Sequence, residues 1–332
     1  MTDMVKTESA AYYLGIDIGG TKCAVSLGKY ENGIMTVAAK EKTETKGKPQ
    51  EVLEKLYSSM LQILDENRLE FCDIKATGIS CGGPLDPKNG IIMSPPNLPG
   101  WDNVEAVKFF ERKTGILTVL ENDANACAVA EWKLGAGRGF DNIIFLTFGT
   151  GLGAGLILDG KLYSGSNGNA GEAGHIRLSE YGPAGYGKCG SFEGFCSGKG
   201  IAQLGKTLAV EAIQSGVCPA YCSDMSLLEE ISAKSIADAA ENGDETALEV
   251  YRMSGRMLGR GLSVLVDILN PQRIIIGSIF ARSRNLLFDE CDAVMKRECL
   301  APSYGICKVV PAQLGENIGD YAALSLALSL EA

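Results

Sequence analysis

An apolar run that carries one acid and ends in paired glycines, Leu14–Lys22 (L-G-I-D-I-G-G-T-K), narrows the folds open to this 332-residue chain more than any other stretch. Tyr12–Ile18 and Cys23–Leu27 are apolar enough to be strands, and Gly19-Gly20 supplies the turn between them. The stretch therefore predicts a hairpin rather than a strand entering a helix. Asp17 interrupts the first strand, and a lone carboxylate in a buried strand is costly unless something compensates it. Gly19 and Gly20 allow a ligand close to the backbone, with bare N–H groups that suit phosphate oxygens. Thr21 and Lys22 add a hydroxyl and a positive charge. Taken alone, the same residues also suit a glycine-rich hairpin with a solvated lysine.

A second stretch repeats the design. Phe145–Gly155 (F-L-T-F-G-T-G-L-G-A-G) runs from an apolar strand through Gly149, Thr150 and Gly151 into another apolar run ending at Leu158. One such unit per half suggests two loops that could hold the two ends of one polyphosphate.

At this length two domains are expected. The net charge of −10 argues against a nucleic-acid partner, which calls for a basic face. No apolar run reaches the ~18 residues that span a bilayer. Residues 1–9 are polar and mixed in charge, unlike a secretory leader. The 11 cysteines, an odd number, sit in apolar segments such as those around Cys23, Cys81 and Cys127. They read as reduced core thiols of a cytoplasmic protein.

Along the chain, strands are expected at Tyr12–Ile18, Cys23–Leu27 and Ile34–Ala39, a helix over Pro49–Asn67 and a strand at Ile74–Ser80. This order departs from the uniform alternation of a dinucleotide-binding sheet. Gly82–Trp101 is a long proline- and glycine-rich loop whose Ile91, Ile92, Met93, Leu98 and Trp101 suggest that it packs. After a helix over Val104–Thr114 and a strand over Ile116–Leu120, Glu121-Asn122-Asp123-Ala124-Asn125 stands where a strand hands over to a helix, Ala126–Leu134. Asn122 or Asp123 could simply cap that helix. The carboxyl end of a strand is equally where ligands gather in α/β sheets.

In the second half, Ser164–Leu178 is another glycine-rich loop and holds His175, the only histidine, three residues after Glu172. A lone histidine suits a structural role or a polar site. Cys189 and Cys196 with His175 invite a zinc reading, but no C-x-x-C or C-x-C pair is present. Glu193 lies between Phe192 and Phe195, placed either to accept a sugar hydroxyl or to complement a helix N-terminus. Further helices are expected over Gly198–Gln214, Ser235–Asn242, Glu245–Leu269, Ser283–Glu298 and Asn317–Ser329. Glycines 255, 259 and 261 would allow the third of these to pack closely. Strands are expected at Arg273–Ile276, leading into Gly277, and at Cys307–Val310.

Two domains, two glycine/threonine loops and Asp123 near the junction describe a phosphoryl-transfer site, which needs aligned phosphates, a magnesium ion and a base. Six segments in order, D-I-G-G-T-K (Asp17–Lys22), G-G-P-L-D (Gly82–Asp86), N-L-P-G-W (Asn97–Trp101), E-N-D-A-N (Glu121–Asn125), F-G-T-G-L-G-A-G (Phe148–Gly155) and G-N-A-G-E-A-G-H (Gly168–His175), resemble the ROK family of sugar kinases. G-S-I-F (Gly277–Phe280) resembles its adenosine-side loop. The resemblance implies an α/β fold of two actin-like (ribonuclease H-like) domains with an interdomain cleft. Residues 1–121, completed by the terminal helix 317–332, would form one domain and 122–316 the other.

By the same resemblance, Asp123 is the base that takes the proton of a hexose 6-hydroxyl. Gly83, Asn97, Asn122, Glu172, His175 and Glu193 would bind the sugar with it. Gly19, Gly20, Thr21, Lys22, Thr150, Gly151 and Gly277 would bind ATP, and Asp17 would orient Mg2+ through water. Glucose is the first substrate implied, with N-acetylmannosamine, another amino sugar or a β-glucoside as alternatives. A sensor without catalysis is a further alternative. Many family members bind structural zinc through C-x-C-G-x-x-G-C, but here Gly187–Glu193 breaks the pattern, with Ser191 in place of the last cysteine. No zinc is therefore expected, and Tyr186, Phe192 and Phe195 would fix that loop by packing. Family repressors carry a helix-turn-helix domain before the first strand, and the short segment preceding Tyr12 cannot supply one. The resemblance also implies a homodimer, with no membrane partner.

Overall fold

The computed structural model describes residues 10–331; segment 1–9 lies outside them. Strands β1 (Ala11–Ile18), β2 (Lys22–Glu31) and β3 (Ile34–Glu44) form a meander. The β1–β2 register sets Ile18 opposite Cys23, so the glycine pair makes the hairpin turn expected of it. Helix α1 (Pro49–Glu66) starts with proline in its first turn and buries Val52, Leu53, Leu56, Met60, Ile63 and Leu64 on one face. Strand β4 (Ile74–Cys81) joins β1 in parallel.

The long loop then makes a small hairpin, β5 (Leu85–Asp86) with β6 (Ile91–Ile92). It packs through Ile92, Leu98 and Trp101, whereas Met93 is exposed. Helix α2 (Ala106–Thr114) stops at Gly115, whose φ of 72° is open to glycine. Strand β7 (Thr118–Asn122) pairs with β4 in parallel, and α3 (Asp123–Leu134) follows without a break. The helix starts at Asp123 rather than Ala126, because Asn122 caps it and an acid is welcome in a first turn.

The second sheet holds β8 (Ile143–Leu146), β9 (Ala154–Leu158) and β10 (Lys161–Leu162). The glycine-rich segment after it forms a small ribbon, β11 (Ala184–Gly185) with β12 (Lys188–Cys189), and a one-turn helix α4 (Phe192–Phe195). Helices α5 (Gly198–Gln214), α6 (Ala233–Glu241) and α7 (Glu245–Leu269) come next. Strand β13 (Arg273–Ile276), helices α8 (Ile279–Arg282), α9 (Arg284–Glu298) and α10 (Ala301–Ile306), and strand β14 (Lys308–Pro311) complete the unit. Its sheet order is β10-β9-β8-β13-β14. The glycines of α7 do permit close packing: a Cβ on Gly255 or Gly259 would lie 2.6 or 2.5 Å from the Leu287 or Cys291 carbonyl of α9.

Helix α11 (Ile318–Leu328) returns to the first sheet, whose order is β3-β2-β1-β4-β7. Strand alternation splits β1 between two cores. Leu14, Ile16 and Ile18 face α1 and α2, while Tyr13 packs with Met35, Ala76, Leu324 and Ala327 on the α11 side. The helix lies so close that a Cβ on Gly15 would sit 3.0 Å from Leu324 N, and one on Gly78 would collide with the Ala323 carbonyl. By packing, the chain separates into two units: residues up to Gly139 with Leu162–Ala170 and everything from Glu316, and Phe140–Lys161 with Gly171–Gly315. No helix among the described residues is long and apolar enough to cross a membrane. All 11 cysteines are free thiols; Cys72, Cys189 and Cys218 are exposed, Cys127 is half-buried and the rest are buried.

Candidate functional site

In the first unit the carboxyl ends of three neighbouring parallel strands converge. Register sets Ile18 beside Cys81 and Cys81 beside Asn122, so Asp17 and Asp123 share one end of the sheet. The Asn122 side chain accepts from Ala124 N (3.0 Å), which fixes the first turn of α3. Asp123 accepts from the same amide at 2.8 Å. Asp123 reaches solvent, but desolvation by the protein crowded around it raises its carboxyl above the ordinary value, and backbone hydrogen bonds partly offset the rise. Asp17 is pushed up to about 6, first by burial, then by Asp123 and Asp320, against the pull of Lys40. Lys40 in turn pairs with Asp320 in the first turn of α11. The Cys81 and Cys127 thiols are raised by burial and by the same two aspartates, which keeps them protonated.

The remaining first-unit candidates gather around these acids. A Cβ on Gly20 would lie 2.5 Å from the Asn97 carbonyl, and one on Gly83 would lie 3.4 Å from Asn122 Nδ2. Gly19 N–H donates to the Lys22 carbonyl (3.2 Å) and Thr45 Oγ1 to the Gly19 carbonyl (2.6 Å), so the turn is held by the residue that follows β3. Thr21 and Lys22 are exposed beyond it. Glu121, to which sequence reasoning gave no role, is the buried group that ties this corner together. Its carboxylate accepts from Asn122 N (2.8 Å), Asn125 Nδ2 (3.0 Å) and Ser164 Oγ (3.3 Å). Nothing in the sequence beyond its place in E-N-D-A-N marks it.

In the second unit the Gly149–Gly151 turn is closed by Thr147, whose Oγ1 accepts from Gly153 N at 2.9 Å, and by Gly198 N–H donating to the Gly149 carbonyl at 2.8 Å. Thr150 is exposed at its tip. The turn forms one wall of a cleft of about 820 Å³ lined also by Lys199, Lys234, Ser278 and Arg282. The three cations outnumber the two acids on its wall, Asp238 and Glu241, so in a chain of net charge −10 the cleft has a local excess of positive charge. These residues come from separate elements, which is why no sequence pattern announced them. Gly277 stands one residue before the cleft wall, with Phe145 rather than open space where its Cβ would be.

Glu172 and His175 are brought together on a short 3-10 turn, Ala173–His175, and both are exposed. His175 Nε2 lies 3.9 Å from Glu172 Oε2, and the ring meets the Tyr186 ring edge-on at 5.1 Å. Tyr186 itself is 74% exposed, so of the three aromatics expected to pack this loop only Phe192 and Phe195 are buried. Hydrogen bonds hold the rest: Lys188 Nζ donates to the His175 carbonyl (2.6 Å) and Phe192 N to the Ile176 carbonyl (2.7 Å). Ser191 is buried and caps α4 by accepting from Gly194 N at 3.0 Å. Glu193 rides on that turn, and its Oε2 accepts from Leu152 N at 3.0 Å.

Among the described residues no three His, Cys, Asp or Glu gather as a metal-holding set. A magnesium ion held through water needs fewer direct ligands. Asp17 fits that role: its pKa is raised first by burial and then by the Asp123 and Asp320 charges, and a cation would relieve the latter.

The chain matches the ROK family over residues 13–329. It is 30% identical over 318 residues to the glucokinase of Thermotoga maritima, covering 94% of this chain and 96% of that one. It is 31% identical over 316 residues to the glucokinase of Streptomyces coelicolor, covering 95% and 96%. The N-acetylglucosamine repressor of Escherichia coli O6:H1 is 26% identical over 333 residues, 98% of this chain and 78% of the repressor. Among solved structures, the ROK glucokinase of Streptomyces griseus in complex with glucose and AMPPNP superimposes with a TM-score of 0.73 at 30% identity, covering 96% of this chain and all of that one. Two α/β units built on the same plan, one carrying Asp17 and Asp123 and the other the Gly149–Gly151 turn, are the actin-like architecture of those relatives, and the chain belongs to the ROK family.

Proposed function

We propose that this protein is an ATP-dependent sugar kinase that phosphorylates a hexose at the 6-hydroxyl, with glucose as the substrate. The observation that carries the reading is Asp123: a carboxylate that follows β7 directly, reaches solvent, is raised in pKa by the protein packed around it and is held by the first turn of α3. A base of that kind takes up the proton of a hydroxyl as the oxygen attacks phosphorus. Asn122, Gly83 and Asn97 position the sugar beside it, and Glu172, His175 and Glu193 bind ring hydroxyls. Gly19, Gly20, Thr21 and Lys22, with Thr150 and Gly151, cradle the phosphates, and the basic cleft takes the rest of the nucleotide. Asp17 orients Mg2+ through water; when bound, the ion neutralises phosphate charge. Glucose and nucleotide bound to the S. griseus relative, and two glucokinases at about 30% identity, support this assignment. An N-acetylated amino sugar is the second reading, supported by the N-acetylglucosamine repressor among the relatives.

The deciding experiment is a coupled ADP-release assay with MgATP across a panel of hexoses and amino sugars. Turnover of glucose with the highest kcat/KM supports the first reading, a preference for an amino sugar supports the second, and no turnover on any sugar removes both. In this reading the enzyme works in the cytoplasm, where free thiols persist, and as a homodimer. A monomeric mass by light scattering would refute the dimer.

A further inference from the structure

Glu193 does more in the fold than face a sugar pocket. Its Oε2 accepts the Leu152 N–H at 3.0 Å, and that amide belongs to the loop that carries Thr150 and Gly151. A Cβ on Gly151 would stand only 2.7 Å from the same oxygen. From the other side, Gly174, the neighbour of His175, packs against the Leu152 carbonyl and leaves 3.2 Å between its would-be Cβ and the Glu193 Cβ. Gly185 of β11 approaches Glu193 Cβ at 2.7 Å by the same measure. Leu152 is thus a joint where the His175 turn, the α4 turn and the Gly149–Gly151 loop meet. The Leu152 side chain is buried. Glu193 is half-buried, and its second oxygen accepts no hydrogen bond among the described residues.

We infer that Glu193 is a positioning residue that couples sugar occupancy to the nucleotide phosphate loop. This rests on the kinase reading above. A hydroxyl donated to the open oxygen fixes the carboxylate rotamer and with it the bond to Leu152 N. The ordering cost of the Thr150–Gly151 loop is then met before the nucleotide arrives. Sugar and nucleotide therefore bind with positive cooperativity, and by linkage each strengthens the other by the same factor. Three glycines, Gly151, Gly174 and Gly185, let the backbones reach this joint, so the device is built into the loop rather than added to its surface.

The test is calorimetric titration of AMPPNP with Mg2+ into the full-length protein, with and without saturating glucose. Wild type is expected to bind AMPPNP at least about fivefold more tightly with glucose, the lower end of usual coupling. Glu193→Ala is expected to bring the ratio to about one at a glucose concentration that saturates the variant, whatever its AMPPNP affinity without sugar. A structural role alone would weaken the fold and leave the ratio alone. Glu193→Gln is expected to restore most of the ratio, since its amide oxygen can still accept from Leu152 N and its NH2 can meet a hydroxyl. In the wild-type protein, glucose alone is expected to slow hydrogen exchange at residues 149–153. An unchanged ratio in Glu193→Ala, or exchange that glucose does not alter, overturns the inference. If glucose is turned over and the wild-type ratio is one, the coupling fails and the kinase reading stands. If glucose is neither bound nor turned over, the glucose reading fails and takes the coupling with it.

Discussion

The acids of the first unit and the recognition groups of the second differ in how closely the protein crowds them. Asp17 is half-buried in β1 and Asp123 reaches solvent at the start of α3, yet the protein packed around each makes desolvation the largest cause of both raised carboxyl values. Glu172 and His175 stand on a glycine-bounded turn with side chains 61% and 43% exposed. A proton-accepting group gains from desolvation, since that brings its affinity for the proton closer to the working pH. A group that reads hydroxyls gains from access, because its water can be exchanged for ligand at small cost. Chemistry and recognition are therefore separable, and substitutions can show how cleanly.

The largest effect is expected at Asp123. Asp123→Asn should lower kcat by about a thousandfold, within the range of general-base catalysis, while glucose binding by calorimetry changes little. A comparable loss of kcat in His175→Ala would break the division between the two regions. Next comes the phosphate loop. Gly151→Ala places a methyl against the Glu193 carboxylate and should raise the KM for ATP by about tenfold, the equivalent of overpacking by ~1.4 kcal/mol. His175→Ala should raise the KM for sugar by roughly three- to tenfold, the worth of one hydrogen bond, with kcat and melting temperature nearly unchanged.

The smallest effect is in stability. The Asp17 carboxyl titrates at about 6 in the folded protein against an ordinary 3.8. Folding therefore favours its protonated form, and the stability this contributes is lost as pH rises from 3.8 through about 6. Asp17→Asn should accordingly melt a few degrees above wild type at pH 7.5 without ligands, and the two should coincide near pH 4, as read by calorimetry. For activity the sign reverses: kcat/KM should fall as the pH drops below about 6, where Asp17 takes up its proton.

The parts of this site that were legible in the sequence are those where one short segment does everything. The Gly19-Gly20 hairpin, the acid in its strand and the Asn122-Asp123 handover each announce themselves through strand pattern and turn chemistry. Helix α3 starts at Asp123, three residues before the expected Ala126, because the Asn122 cap and the acid in the first turn carry it back to the strand end. Short helices α4 and α10 escaped notice, being too brief for a helical period to show. Lys199, Lys234 and Arg282 were invisible for a different reason: topology alone gathers them into one cleft. Glu121 was visible as a residue but not as a hub, since its partner Ser164 lies far along the chain.

The seat of α11 against Gly15 and Gly78 has a consequence for biosynthesis. The sheet that bears both aspartates is translated early, yet the helix that covers its Tyr13 side is spelled out only after the whole second unit. On the ribosome that apolar face waits uncovered while some 175 further residues emerge. The half of the enzyme that begins first is therefore finished last, and chaperones would meet it with its hydrophobic back still bare.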